Sequence, residues 1–290
     1  MAEITAAQVK ELRERTGVGM MECKKALVAA DGDMKIAIEE LRKSGRAKAD
    51  KKAGRVAAEG VVLIRKNVIL EINSETDFAA RDESFLAFAD AVLETAVAAQ
   101  AQDVAALMTL PMGSTGMTVE EARQALIAKI GENINVRRVA LANSATAGSI
   151  GTYLHGNRIG VLVELDTDNQ DLAKDIAMHI AASKPLVISP TDVPQELVAN
   201  EKEIYMAQAA TSGKPQDIIE KMVGGKLKKF LDEISLLGQA FVKDPEVMVS
   251  SLLGKNRAKV ISFTRFEVGE GIEKESEDFV EAVMAQVKGG

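Results

Sequence analysis

Val68-Ile69-Leu70-Glu71-Ile72-Asn73-Ser74-Glu75-Thr76-Asp77-Phe78-Ala79-Ala80-Arg81 decides how the rest of the chain is read. Val68 to Asn73 is an alternating apolar run and predicts a β-strand. Phe85, Phe88, Val92 and Ala96, just beyond the stretch, recur at helical spacing. Between them an acid and a large aromatic share a tight strand-to-helix corner. Two roles fit that corner. Asp77 could cap the helix while Phe78 staples its first turn to the core. Alternatively, Phe78 and Asp77 form a protruding probe, a wedge and a charge offered to another molecule.

Working outward, Val61 to Ile64 and the turn Lys66-Asn67 complete a β-hairpin with the strand at 68–73. Thr118 and Glu121 form a capping box for a helix that stops at Gly131, and a strand resumes over 134–139. Ser144 to Ser149 is a small, polar break. Beyond it the pattern returns: Ile150 to Tyr153, a turn at His155-Gly156-Asn157-Arg158, then Val161-Leu162-Val163-Glu164-Leu165-Asp166, which matches 68–73 in residue type position for position. A helix with Leu172, Ile176, His179 and Ile180 comes next. This is an internal duplication of a hairpin-plus-helix unit. The second copy reads Thr167-Asp168-Asn169 where the first has Thr-Asp-Phe. A repeated scaffold without a repeated corner favours the probe.

Upstream, three short helices are predicted. The first opens at the Thr5–Gln8 capping box and breaks at Gly17-Val18-Gly19; the second carries Cys23 and Leu27; the third, capped by Asp33, ends at Ser44-Gly45. Residues 42–55 hold Arg42, Lys43, Arg46, Lys48, Lys51, Lys52 and Arg55 against one Asp50, which reads as a solvated helical linker. Downstream, two helical patterns flank Ser212-Gly213-Lys214-Pro215 and predict an antiparallel helical hairpin whose apolar stripe suits self-packing or dimerisation. A strand at 260–266 mirrors 134–139, and Phe279, Val280 and Val283 mark a terminal helix. The predicted class is α+β. Its parts are a helical module (1–46), a basic linker (47–59) and a core N-subdomain (60–143). A core C-subdomain (144–188 and 238–269), the helical hairpin (189–237) and a C-terminal module (270–290) complete it.

Composition narrows the function. The 290 residues carry a net charge of −7, which disfavours general phosphate-backbone binding. Aromatics make up 3% with no Trp, too few for stacking surfaces along single-stranded nucleic acid. One cysteine, Cys23, precludes an internal disulfide and fits a reducing compartment; the amino terminus lacks a signal-peptide pattern and no apolar run is long enough to span a bilayer, so a cytoplasmic location and no membrane partner are expected. His155 and His179 lie on different elements and form no metal-ligand cluster; His179 fits a hydrogen-bonded core or interface position, and Cys23 a packing one. Gly17-Val18-Gly19 and Gly224-Gly225-Lys226 lack the spacing of nucleotide loops. No catalytic constellation, metal site or cofactor is expected, and contact with another protein is.

Several long blocks resemble the bacterial translation elongation factor Ts family, from Ile4 to about Phe279. They are Val9 to Leu27, Leu70 to Arg81, Lys129 to Ile134, His155 to Gly160, Met178 to Ala182 and Arg265 to Gly271. Ala79, where a bulkier aliphatic is frequent, and the short turn at Lys66-Asn67 are mild departures. The resemblance implies a non-enzymatic guanine-nucleotide exchange factor for elongation factor Tu, with a ubiquitin-associated-like amino-terminal module and a coiled-coil hairpin. It implies that Thr76, Asp77, Phe78 and Ala79 dislocate the partner's magnesium, and that Arg13, Met20, Met21 and His155 make partner contacts. Magnesium, GDP and GTP then belong to the partner, and the helical hairpin is a candidate contact for a homodimer or 2:2 complex. Two other classes stay open: a ribosome- or RNA-associated protein using the 42–55 run, and an enzyme whose site the sequence does not display.

Overall fold

The hydrophobic periods of the sequence become helices packed on antiparallel sheets, an α+β architecture. The computed structural model describes residues 4–113, 116–142, 148–211 and 215–273. They belong to two units, residues 1–141 with 266–290 and residues 142–265. The terminal helix expected around Phe279, residues 144–147 of the expected break, and Ser212 to Lys214 of the hairpin turn lie outside the described residues.

The first unit begins with helices α1 (Ala6–Thr16), α2 (Met20–Ala29) and α3 (Met34–Lys52). Thr5 and Gln8 exchange hydrogen bonds across the start of α1, and Gly17, at φ 68°, supplies the left-handed residue that ends it. Val9, Leu12, Val18, Cys23, Leu27 and Ala37 form the shared apolar core of the three helices. Cys23 Sγ donates to the Val18 carbonyl at 3.5 Å, a packing role. The third helix does not stop at Ser44-Gly45 as the sequence pattern predicts. Gly45 is buried in mid-helix beside Gln124 and Ala128, and the helix runs on to Lys52 because packing outweighs the roughly 1 kcal/mol that glycine costs there. The first six residues of the expected 47–59 linker, 47–52, are therefore helical.

Strands β1 (Glu59–Arg65) and β2 (Val68–Ser74) form a hairpin, followed by α4 (Asp77–Ala80), α5 (Glu83–Ala99), α6 (Val104–Thr109), α7 (Val119–Ile130) and β3 (Ile134–Leu141). The sheet order is β1-β2-β3, antiparallel throughout. One face of β2, with Val68, Leu70 and Ile72, packs with Phe85, Phe88, Val92 and Leu93 of α5. The other face carries Ile69, Glu71 and Asn73, all fully buried.

A buried carboxylate needs partners, and a β-bulge supplies them. Glu71 lies opposite Arg138 but Ile72 lies opposite Val136, so Arg137 is an extra residue in β3. Both guanidiniums reach the same carboxylate, Arg137 Nη1 at 3.0 Å and Arg138 Nε at 2.5 Å. Gly269, at φ 73°, brings its backbone N–H to Glu71 Oε1 at 2.9 Å. Its Cβ-less backbone passes the Ala58 carbonyl, where an added Cβ would approach to 2.2 Å. Arg138 also donates to the Glu267 carbonyl and lies 4.3 Å over the Phe266 ring. One carboxylate thus ties β2, β3 and residues 266–270 together.

The second unit repeats the plan with β4 (Ser149–His155), β5 (Ile159–Leu165) and α8 (Gln170–Ser183). Then come α9 (Gln195–Ala210), α10 (Gln216–Ile234), the short strands β6 (Ala240–Phe241) and β7 (Asp244–Met248), α11 (Val249–Lys255) and β8 (Val260–Glu267). Its sheet order is β4-β5-β8, and Glu164, the counterpart of Glu71, is buried and accepts from Ser262 Oγ at 2.9 Å. Gly151 lets β4 lie against α8, since a Cβ there would meet the Ala173 carbonyl at 2.1 Å. Helices α9 and α10 pack antiparallel through Tyr205, Met206, Ala209, Ile219 and Val223. His179 is buried on α8: Val242 N donates to its Nδ1 at 3.1 Å, so the ring proton sits on Nε2 and is donated to Gln239 Oε1 at 2.9 Å.

Glu71 and His179 both make stability sensitive to acid. Burial raises the Glu71 carboxyl, but the Gly269 N–H, Arg138 and Asn73 outweigh it and hold it below the ordinary 4.5. The stability this contributes is complete above pH 4.5 and should be lost as pH falls through the depressed folded value. Glu71→Gln should cost about 2 kcal/mol at pH 7, under the usual figure for a broken buried pair because the arginines reach solvent, and should flatten the acid limb of urea denaturation curves. Burial lowers the His179 pKa from 6.5, more than the Gln239 bond raises it. The unfolded chain then takes a proton that the folded chain refuses, so stability should be full above pH 6.5 and decline below it. Unfolding midpoints at pH 5.5 and 7.5 should differ in the intact protein and converge in His179→Gln; equal midpoints in the intact protein would contradict this.

Candidate functional site

Strand β2 does not run directly into the long helix α5. The helix has its own cap, Asp82, which accepts from Ser84 N at 2.8 Å and Phe85 N at 3.3 Å. Burial pushes the Asp82 carboxyl up, but the bonds from Ser84 and Phe85, with Lys129 nearby, leave it below its ordinary value. In the second copy the cap, Asn169, comes three residues after Asp166; in the first, Asp82 comes nine residues after Asn73. The intervening segment is an addition to the scaffold, folded as the single turn α4. Its cap is Thr76, whose Oγ1 accepts from Ala79 N at 3.2 Å. Asp77 therefore caps nothing, and Phe78 staples nothing.

Within that turn, burial alternates sharply. Ala79 and Ala80 are buried, whereas Phe78 is 81% exposed, the most exposed of the large hydrophobic side chains described. Asp77 points to solvent with its carboxylate 3.0 Å from Arg81 Nη2, an ion pair of two exposed side chains. Two small buried residues seat the turn and a large aromatic stands off it. The four predicted residues Thr76, Asp77, Phe78 and Ala79 thus share one turn.

Two carboxylates hold the turn at its root. Because Ser74 pairs with Ile134, residues 75–76 run beside residues 132–133. Glu132 accepts from Thr76 N at 3.0 Å and from Thr76 Oγ1 at 2.6 Å. In return, Glu75 accepts from Asn133 N at 2.6 Å and its other oxygen lies 3.4 Å from Arg55 Nη1. Asn133 Nδ2 donates to the Arg55 carbonyl at 2.7 Å, and Ser74 Oγ to the Thr76 carbonyl at 3.0 Å. Sequence reasoning gave no role to Glu75 or Arg81, although both lie in the stretch it singled out, and missed Glu132, Asn133 and Arg55 as parts of this corner. Only Arg81, four residues from Asp77 in a helical turn, carried a local signal. Glu132 and Asn133 are brought there by strand register.

The other predicted contact residues lie elsewhere. Arg13 is exposed on α1, and Met20 and Met21 are exposed at the start of α2, beside the Gly17-Val18-Gly19 loop. His155 is exposed at the end of β4 in the second unit, stacked on Tyr153 with ring centroids 6.4 Å apart. Among the described residues no group of three or more His, Cys, Asp or Glu could hold a metal ion, and no helix is long and apolar enough to cross a membrane. The 42–55 run is largely neutralised within its own unit. Arg42 pairs with Glu121, Lys43 with Glu39 and Glu40, Lys48 with Glu22, Arg55 with Glu75, and Lys52 donates to the Gly131 carbonyl.

Comparison with known proteins gives one answer along the whole chain. A family model described as elongation factor Ts matches residues 75–270. Elongation factor Ts from Legionella pneumophila is 57% identical over 294 residues, covering 99% of this chain and 100% of that protein. The protein of the same name from Thioalkalivibrio sulfidiphilus is 58% identical over 292 residues, covering 99% of each chain. That from Francisella tularensis subsp. novicida is 57% identical over 293 residues, covering 100% of both.

Proposed function

The chain belongs to the elongation factor Ts family, and on that premise we propose that it is a guanine-nucleotide exchange factor acting on elongation factor Tu by contact alone, with Phe78 as its wedge. The observation that carries this is a phenylalanine left 81% exposed on a turn whose root is fixed by Glu132 and whose neighbours Ala79 and Ala80 are buried. Burying such a ring supplies roughly 1.5–3 kcal/mol, enough to offset a modest distortion in a partner. The 76–79 corner would use it to disturb the partner's magnesium site. Magnesium tolerates little departure from octahedral ligation, so a small displacement of its ligands weakens both the ion and the diphosphate it neutralises. Asp77 can be turned to that site cheaply, since its pairing with Arg81 is exposed and worth at most about 1 kcal/mol.

Linkage closes the cycle. A factor that weakens nucleotide binding is weakened equally by nucleotide, so incoming GTP displaces it and leaves it free to act again. Magnesium, GDP and GTP belong to the partner on this reading, and the factor contributes no cofactor of its own. Arg13, Met20 and Met21 on the amino-terminal helices, a ubiquitin-associated-like module, and His155 in the second unit would hold other parts of the partner. The α9–α10 pair would serve as a coiled-coil contact for a second copy or a 2:2 assembly. The pairing of Arg42, Lys43, Lys48 and Arg55 with acids of the same unit weighs against the 42–55 run as an RNA surface.

Release of labelled GDP from elongation factor Tu, with this chain at catalytic amounts, tests the proposal. The intact chain should accelerate release. Phe78→Ala should slow the accelerated rate by about 10- to 100-fold, the equivalent of the ring's burial, while its unfolding free energy stays within about 0.5 kcal/mol of the parent's. No acceleration by the intact, folded chain would overturn the proposal.

A further inference from the structure

We infer that Glu132 is a positioning residue for exchange, setting the direction in which Phe78 projects; the inference rests on the exchange-factor reading above. Its two carboxylate oxygens take both protons that Thr76 can donate outward, the backbone N–H at 3.0 Å and the hydroxyl at 2.6 Å. With its proton committed to Glu132, the Thr76 oxygen presents its lone pairs to Ala79 N at 3.2 Å, the bond that closes α4. The carboxylate therefore fixes the backbone at the first residue of the corner and orients the cap of the turn. Phe78 lies two residues on, with no buried contact of its own to hold it, so its direction is inherited from this root.

The reciprocal bond makes the clamp a two-sided one. Glu75 accepts from Asn133 N while Glu132 accepts from Thr76 N, so two adjacent residues on each side exchange carboxylate-to-backbone bonds. Rotation of the corner about the end of β2 would break both at once. Bonds of this charged kind are stronger than those between neutral groups. A wedge on a loose root would still touch the partner, but would spend its burial free energy on ordering itself before it could displace anything.

The test compares exchange by the full-length chain and by Glu132→Ala, Glu132→Gln and Thr76→Val, varying the factor concentration. Glu132→Ala should lower the rate at saturating factor by about tenfold, while the concentration giving half-maximal rate changes less than about threefold. Glu132→Gln, which keeps one acceptor oxygen, should recover part of the loss. Glu132→Ala combined with Thr76→Val should lose less than the product of the two single losses, because both remove the bond from Thr76 Oγ1 to Glu132. Amide exchange at residues 76–80 should rise in Glu132→Ala with the unfolding midpoint little changed. A saturating rate equal to the parent's overturns the inference. So does a loss confined to half-maximal concentration, which would make Glu132 a partner contact. A loss that vanishes when corrected for the folded fraction makes it merely structural; if Glu132→Ala does not fold, the same comparisons are decided by Glu132→Gln and Thr76→Val. Failure of the parent to accelerate release sinks the exchange reading itself, and retention of the Phe78→Ala defect beside a silent Glu132→Ala sinks only the clamp.

Discussion

The fully buried carboxylate of Glu71 is the constraint on which the first unit depends. A charge at that depth is tolerated only when it is paired and hydrogen-bonded. The chain meets that demand with two arginines, one backbone N–H and the Asn73 amide. Both arginines can reach it because a bulge inserts Arg137 opposite the Glu71–Ile72 step. In an unbroken strand, neighbours point to opposite faces. The same bulge shifts the phase of β3, so Ile134 and Val136 on one side and Val139 and Leu141 on the other all turn to the helices. It also sets the register at the far end of the strand pair, Ser74 against Ile134. That register brings residues 75–76 beside 132–133, and so the chemistry of a buried acid fixes where the exposed corner is rooted.

Much of this was legible beforehand because it was written in local patterns. The capping boxes at Thr5 and Thr118, the glycine stops at Gly17 and Gly131 and the matched runs 68–73 and 161–166 each depend on neighbours in sequence. Their elements appear where periodicity and turn chemistry put them. Gly45 misled for the opposite reason. A glycine after a serine is a local stop signal, but the helix was carried through it by packing on α7, nearly eighty residues away. The corner stands out in the sequence as an asymmetry between the copies, but its anchors do not. Glu132 lies 56 residues from Thr76, and Asn133 58 from Glu75, and no spacing rule joins them.

Charge tells a similar story at longer range. Seven basic residues in fourteen read as a solvated helical linker when only the sequence is considered, with a nucleic-acid patch as the alternative. In the folded unit their partners come from α2, α3, α7 and the root of the corner: Glu22, Glu39 and Glu40, Glu121 and Glu75. Individually such half-exposed pairs contribute little. Collectively they determine which surface the run turns toward solvent and with how much net charge. Arg55, the last of the run, shares Glu75 with Asn133, so the end of the amino-terminal helical region meets the base of the corner directly.

The magnitudes explain why one wedge would not suffice for an exchange factor. Burial of Phe78 at roughly 1.5–3 kcal/mol falls well short of the approximately 8 kcal/mol that micromolar affinity requires. If the wedge's free energy is used to distort the partner, still less of it appears as affinity. The remainder must come from surfaces that bind without distorting. On the proposed reading these are Met20 and Met21, exposed on the amino-terminal helices, and His155 in the second unit. Dividing the work this way lets holding and prying be tuned separately. A tight hold with a weak wedge would leave nucleotide in place, and a stiff wedge without the hold would seldom find its site. Rigidity is therefore needed at the root of the corner and exposure at its tip, the combination that the carboxylate bonds of Glu75 and Glu132 and the bare ring of Phe78 provide.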